Sequence, residues 1–256
     1  MIMKKTFRTG TVVIGEGVPK ICVPVVAGSR DGIWKKAEEI ASLPVDIVEW
    51  RADFYEQADR PEEVRRTLGG LRERLGEKAL LFTFRTKGEG GQREAASEYY
   101  YRLNEAAALG GADLVDVEAY FDRDQERTAA EIGRLQSRGC RVIGSSHDFD
   151  RTPPTDEMVK RLRYMEALGA DAVKLAVMPA GREDVLRLLE ATIRADAELS
   201  VPVVTMSMGR IGLISRLCGS LTGSAMTFAS VGKASAPGQI PAEQMTEALA
   251  LLGYGG

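Results

Sequence analysis

Two hydrophobic rhythms alternate along the chain almost from end to end. Short runs rich in β-branched and aromatic residues are KICVPV (20–25), DIVEWRADF (46–54), ALLFTFR (79–85), DLVDVEAYF (113–121), RVIGSSHDF (141–149), DAVKLAVM (171–178), PVVTMSMG (202–209) and AMTFASVG (225–232). Apolar runs of this length predict buried strands. Between them lie longer segments with apolar residues three and four apart, among them 60–76, 126–139, 154–170 and 181–199, which predict amphipathic helices. Thr155 is placed to cap the helix of 154–170, and Gly139 and Gly169 stand where helices end in glycine. The helix expected in GRIGLISRLCG (209–219) is short.

Strand and helix alternate without a Pro/Gly/Ser-rich linker, which predicts a single (β/α)8 barrel over residues 1–256. The segment TFRTGTVVIGEG (6–17) reads as a small hairpin that closes the barrel floor. A doubly wound open sheet is the alternative. It calls for a glycine fingerprint after the first strand, and PVVAGSRDG (24–32) is not GxGxxG.

Composition narrows the function. With 44% hydrophobic and 28% charged residues the chain can build a sizeable core, and a formal charge of −3 leaves no electrostatic footprint for nucleic acid. The start MIMKKTFRTG lacks an apolar stretch after its lysines, so no signal peptide is read, and no apolar run is long enough to span a bilayer. Cys22, Cys140 and Cys218 are widely spaced, without CxxC or Cys/His pairing for zinc; buried reduced thiols fit the cytoplasm. The only histidine is His147, so any mechanism that needs one must use it.

In a barrel, chemistry sits at the C-terminal strand ends and alternate residues point inward. Strand 171–178 has an aliphatic outward set, Val173, Leu175 and Val177, and an inward set of Lys174, Ala176 and Met178. A lysine at a strand end could simply snorkel to solvent. Two further inward positions follow Lys174, which places it below the rim instead. Alternation also pairs Glu49 with Arg51, Thr83 with Arg85, and Ser145 with His147. Lys174 is expected beside Arg51 and Arg85, where lost hydration and like charge favour the neutral amine, a carbonyl nucleophile. His147, on the adjacent strand at a matching height, suits proton transfer, with Glu89 of the loop TKGEGGQRE as its partner. Arg51, Arg85 and Arg216 outnumber Glu49 and Glu89, which suggests an anionic small molecule. GKASAPGQIP (232–241) reads equally as a lid or as an ordinary connection.

With these residues in place the chain resembles type I 3-dehydroquinate dehydratases, Schiff-base barrels of the shikimate pathway of aromatic amino-acid biosynthesis. The similarity runs from about residue 12 to the last helix through EWR (49–51), LLFTFRTKGEGG (80–91), SSHDF (145–149), VKLAVMP (173–179), TMSMG (205–209), ISRL (214–217) and ASAPGQI (234–240). The resemblance implies Lys174 as the imine-forming lysine, His147 as the proton-transfer group and Glu89 as its partner. It implies substrate contacts from Glu49, Arg51, Arg85, Arg216, Ser235 and Gln239, with Met206 and Met208 lining the pocket. It also implies 3-dehydroquinate as substrate, a homodimer, and neither cofactor nor metal, since the imine serves as electron sink. Two positions depart from the family pattern: Pro24 where many members carry serine, and Ser146 where asparagine is common. The rival readings are a Schiff-base aldolase of phosphorylated sugars, for which GRIG (209–212) and SVGK (230–233) are feeble phosphate sites, and a non-catalytic barrel that senses a shikimate-type acid.

Overall fold

A computed structural model describes residues 6–232 and 236–252. Phe7–Thr9 (β1) and Val12–Ile14 (β2) form an antiparallel hairpin. Then come the parallel strands β3 (Lys20–Val25), β4 (Ile47–Arg51), β5 (Ala79–Thr83), β6 (Leu114–Glu118), β7 (Arg141–Asp148), β8 (Ala172–Val177), β9 (Val203–Ser207) and β10 (Met226–Phe228). They lie side by side in chain order, with β10 against β3. At the seam between β9 and β10, the Ala225 N–H donates to Val203 O at 2.7 Å and the Thr205 N–H to Ser224 Oγ at 3.1 Å. The sheet is thus a nearly closed (β/α)8 barrel, as the alternation predicted.

Around it run α1 (Arg30–Ala41), α2 (Pro61–Leu75), α3 (Ser97–Leu109), α4 (Gln125–Ser137), α5 (Thr155–Ala167), α6 (Arg182–Glu198), the single turns α7 (Ile214–Leu217) and α8 (Gly219–Thr222), and α9 (Ala242–Leu251). The sequence logic is plain in α2. Pro61 occupies the first turn, where its missing N–H costs nothing, and Val64, Leu68, Leu71 and Leu75 bury one face against the strands. Gly139 and Gly169 both take φ of 91°, the left-handed conformation expected after a helix. Thr155 is not a cap. Pro154 holds that position, and the Thr155 hydroxyl instead donates to Glu190 on α6. No helix among the described residues is long and apolar enough to cross a membrane.

The barrel interior is graded. At the N-terminal strand ends Phe7, Val12 and Ile14 of the hairpin pack with Cys22, Ile47, Ala79, Leu114 and Ala172, so the hairpin plugs the floor. Toward the C-terminal ends the interior turns polar, with Glu49, Asp116, Glu118 and Lys174 all buried. Outside, Val173, Leu175 and Val177 of β8 join the layer between sheet and helices, where Trp50 meets the Phe82 ring edge-on at 5.5 Å. Some strands are shorter than their apolar runs. After Arg51 the chain turns into a 3-10 segment, Ala52–Phe54, which brings Asp53 back onto the Arg51 guanidinium.

Candidate active site

Lys174 occupies the middle of β8, inside the barrel and 4% exposed. Its Nζ donates to Asp116 Oδ2 at 3.2 Å, lies 4.0 Å from Glu49 Oε1, and sits 4.5 Å above the Phe228 ring. The nearest charges are therefore carboxylates, not the guanidinium groups expected from the sequence. Arg85 lies across Asp116, with Nη2 2.8 Å from Oδ1. Burial opposes ionisation of Asp116, but Arg85 and Lys174, with the Ser145 hydroxyl at 2.6 Å, hold its carboxyl below the ordinary range.

The register of β7 on β8 sets Ser145 opposite Lys174 and His147 opposite Ala176. His147 thus stands one inward step above the lysine, about 6.6 Å at strand rise, and not at matching height. Glu89 reaches it from the loop after β5: Oε2 accepts the His147 backbone N–H at 3.1 Å and lies 2.8 Å from Nδ1. That loop folds tightly because residue 91 is glycine. A Cβ there would stand 1.8 Å from Arg85 O, and the Gly91 N–H instead donates to Thr86 O at 2.8 Å.

Burial, then the Glu118 charge, pushes the Glu89 carboxyl well up, against the pull of Arg85. Burial, then Arg85, Lys174 and Arg51, pushes the His147 imidazole well down. One proton on the Oε2–Nδ1 line decides what the ring can do. On Nδ1 it leaves Nε2 as a base; on Oε2 it leaves Nε2 as a donor.

The arginines differ sharply. Arg51 forms a two-pronged pair with Asp53, 2.8 Å at each oxygen. Arg85 is 3% exposed and faces Asp116, Glu118 at 3.0 Å and Glu89 at 3.4 Å. Both line the cavity, but their charges are already matched. Arg216 is not so matched. It is 2% exposed, and its donors reach Phe228 O at 3.5 Å, Pro237 O at 3.2 Å and Met206 Sδ at 3.7 Å. Among the described residues no carboxylate pairs with it, Nε has no partner, and burial brings its pKa down to about 10.

These groups enclose one cavity of ≈ 80 Å³ at the C-terminal end of the barrel, lined by Glu49, Arg51, Arg85, Glu89, His147, Lys174, Met206, Met208, Arg216 and Gln239. Ser235 lies outside the described residues; Ala236 and Gln239 of the same segment close the cavity's side. Pro24 is buried beside Glu49 in the register of β3 and β4. Ser146 points the other way from His147, into a surface cleft with Tyr120 and Tyr164.

Asp116 and Glu118 were missed in the sequence. The signal was there in LVDVE, where two acids share the parity of Leu114 inside an otherwise apolar strand.

Comparison with known proteins decides the relationship. Residues 21–255 match the family model described as type I 3-dehydroquinase. The chain belongs to the type I 3-dehydroquinase family. It is 44% identical over 252 residues to the 3-dehydroquinate dehydratase of Bacillus licheniformis, covering 98% of each chain. It is 46% identical over 249 residues to that of Syntrophotalea carbinolica. Among solved structures, the type I enzyme of Clostridium difficile, solved with covalent modified comenic acid, superposes with a TM-score of 0.94 at 42% identity and 98% coverage of both chains. The doubly wound alternative is therefore excluded, and the family resemblance read from the motifs holds along the whole barrel.

Proposed function

We propose that the protein is a 3-dehydroquinate dehydratase, which eliminates water from 3-dehydroquinate to give 3-dehydroshikimate through an imine on Lys174. The observation that carries this reading is a buried lysine amine and the chain's sole histidine in one cavity beside a buried arginine that meets no carboxylate among the described residues. The amine must be neutral to add to the C3 carbonyl, and Asp116 and Glu49 are the groups near enough to exchange its proton. Loss of water from the adduct gives a protonated imine that withdraws electrons from C2. His147 Nε2 removes the C2 proton, and the resulting enamine expels the C1 hydroxyl, which leaves as water with a proton from His147. Water then cleaves the imine and frees the amine. Glu89 orients the ring through Nδ1.

Arg216 holds the substrate carboxylate, because a desolvated guanidinium that has no counter-ion among the described residues gains most from an anion. Glu49, Arg51 and Arg85 face the ring hydroxyls, with Gln239 over the carboxylate side and Met206 and Met208 as apolar walls, and the family resemblance gives Ser235 a substrate contact as well. The cavity of ≈ 80 Å³ is well below the roughly 300 Å³ of a usual ligand site, so substrate enters with the covering segment displaced, as a lid. The whole chain acts as one catalytic domain, in the cytoplasm and as a twofold homodimer, the commonest soluble oligomer.

A phosphorylated-sugar aldolase would need a phosphate site after β9 and β10, and a sensor of shikimate-type acids would need no reactive lysine. Incubation with 3-dehydroquinate separates the three. Growth of conjugated-enone absorbance is the expected result, and binding without absorbance change would leave only the sensor.

A further inference from the structure

We propose that Glu118 is a positioning residue for this reaction. Through Arg85 and Thr86 it clamps the loop that carries Glu89, and its buried charge keeps the spare proton of the Glu89–His147 pair on Glu89.

Glu118 ends β6 with 1% of its surface exposed, and it does not line the cavity. Its Oε1 accepts from Arg85 Nη1 at 3.0 Å and from the Thr86 N–H at 2.8 Å, and Oε2 accepts the Thr86 hydroxyl at 2.6 Å. Its own N–H donates to the Tyr100 hydroxyl at 2.9 Å. Thr86 opens the turn Lys87–Glu89, so these bonds fix where Glu89 stands.

The charges around the pair come from β4, β6 and β8 and from the loop after β5. Glu89 faces Arg85 from the loop after β5, Asp116 and Glu118 from β6, and the His147 N–H from β7; Tyr120 lies further out. His147 faces Arg51 from β4, Arg85 from the loop after β5 and Lys174 from β8. When the C2 proton leaves, the Lys174 imine becomes a neutral enamine, and an imidazolium on His147 would still face the Arg51 and Arg85 charges. Glu118 offers a way round it. As Nε2 takes the C2 proton, the Nδ1–H bond breaks and an O–H bond forms on Glu89 Oε2. The ring stays neutral and now carries the proton on Nε2 that the leaving hydroxyl needs. No co-reactant is required, because one proton enters the pair and one leaves it as water forms.

The proposal rests on the reading of His147 and Glu89 given above, but its test does not depend on turnover. Tag-free protein has a single imidazole, so ring ¹⁵N shifts report His147 alone. In the wild type the ring should keep neutral-imidazole shifts as pH falls past the ordinary histidine value. E118Q keeps an oxygen for Arg85 and the Thr86 N–H, and its amide can donate to the Thr86 hydroxyl, so the charge is lost while each contact keeps a partner, the one at Thr86 Oγ1 with its direction reversed. Glu89 then ionises more readily, and the ring should charge at a pH about one unit higher than in the wild type. E118D and T86V weaken the clamp but retain the charge, so their rings should titrate as in the wild type even where turnover falls. An E118Q ring that charges at the wild-type pH would overturn the proposal. So would an E118D or T86V ring that charges at higher pH, whether or not E118Q folds.

Discussion

Replacing Arg216 with methionine sets folding against binding. In the free protein the guanidinium is 2% exposed and meets only carbonyl oxygens and a thioether among the described residues. Burial holds its pKa at about 10, a depression that corresponds to about 3 kcal/mol at about 1.4 kcal/mol per unit. Two long hydrogen bonds to carbonyls return about 1 kcal/mol of this, leaving on the order of 2 kcal/mol uncompensated. Methionine keeps the length and discards the charge. The free variant should therefore be more stable by about 1–2 kcal/mol, a rise in Tm of about 2–4 °C for a chain of this size. The same change removes a charge-assisted carboxylate contact worth about 1.5–3 kcal/mol, so KM for 3-dehydroquinate should rise roughly 10- to 150-fold. Calorimetry of both proteins, with steady-state kinetics on the same samples, reads the two effects side by side. A variant that melts several degrees lower with an unchanged KM would show Arg216 to be a structural strut, and the carboxylate would have to bind elsewhere.

His147→Ala should lower kcat on the order of 10²–10⁴-fold yet still form the imine, since Lys174 is untouched and no other histidine can substitute; wild-type turnover would end its role. The three cysteines should resist alkylation in the native state, because burial raises each thiol. At pH 8 Cys140, pushed up to about 11, is thiolate in only about one molecule per thousand. Labelling with iodoacetamide at the same rate before and after unfolding would contradict that burial. Sedimentation should give twice 27.8 kDa, and a monomer at every concentration would refute the proposed dimer.

Strand positions were legible because both faces of a barrel strand are constrained. In β8 an aliphatic outer face left no place for Lys174 but the interior, and the packing of Val173, Leu175 and Val177 follows that logic. Register between strands was not legible. Alternation gives a side chain's face but not its height, which the shear of the barrel sets, and His147 accordingly stands one step above Lys174. Counting arginines also misled. A guanidinium's worth to a ligand depends on its existing partners, and Asp53, Asp116 and Glu118 neutralise Arg51 and Arg85 while Arg216 meets no carboxylate among the described residues. Asp116 could have been found by applying to LVDVE the parity argument that placed Glu49 with Arg51. The Thr155 cap failed because Pro154, with extended backbone, takes the capping position one residue earlier.

Borohydride trapping during turnover tests the covalent step itself. An imine between Lys174 and the C3 carbonyl should be reduced to a stable secondary amine, adding to the protein the mass of the bound ketone less one oxygen. Peptide mapping should place the gain on the segment holding AVKLAVMP. Lys174→Met should fold, take no label and turn nothing over, and Lys174→Arg should fail equally, because a guanidinium stays protonated and cannot add to a carbonyl. Label on Lys233, or an active Lys174→Met variant, would contradict the account.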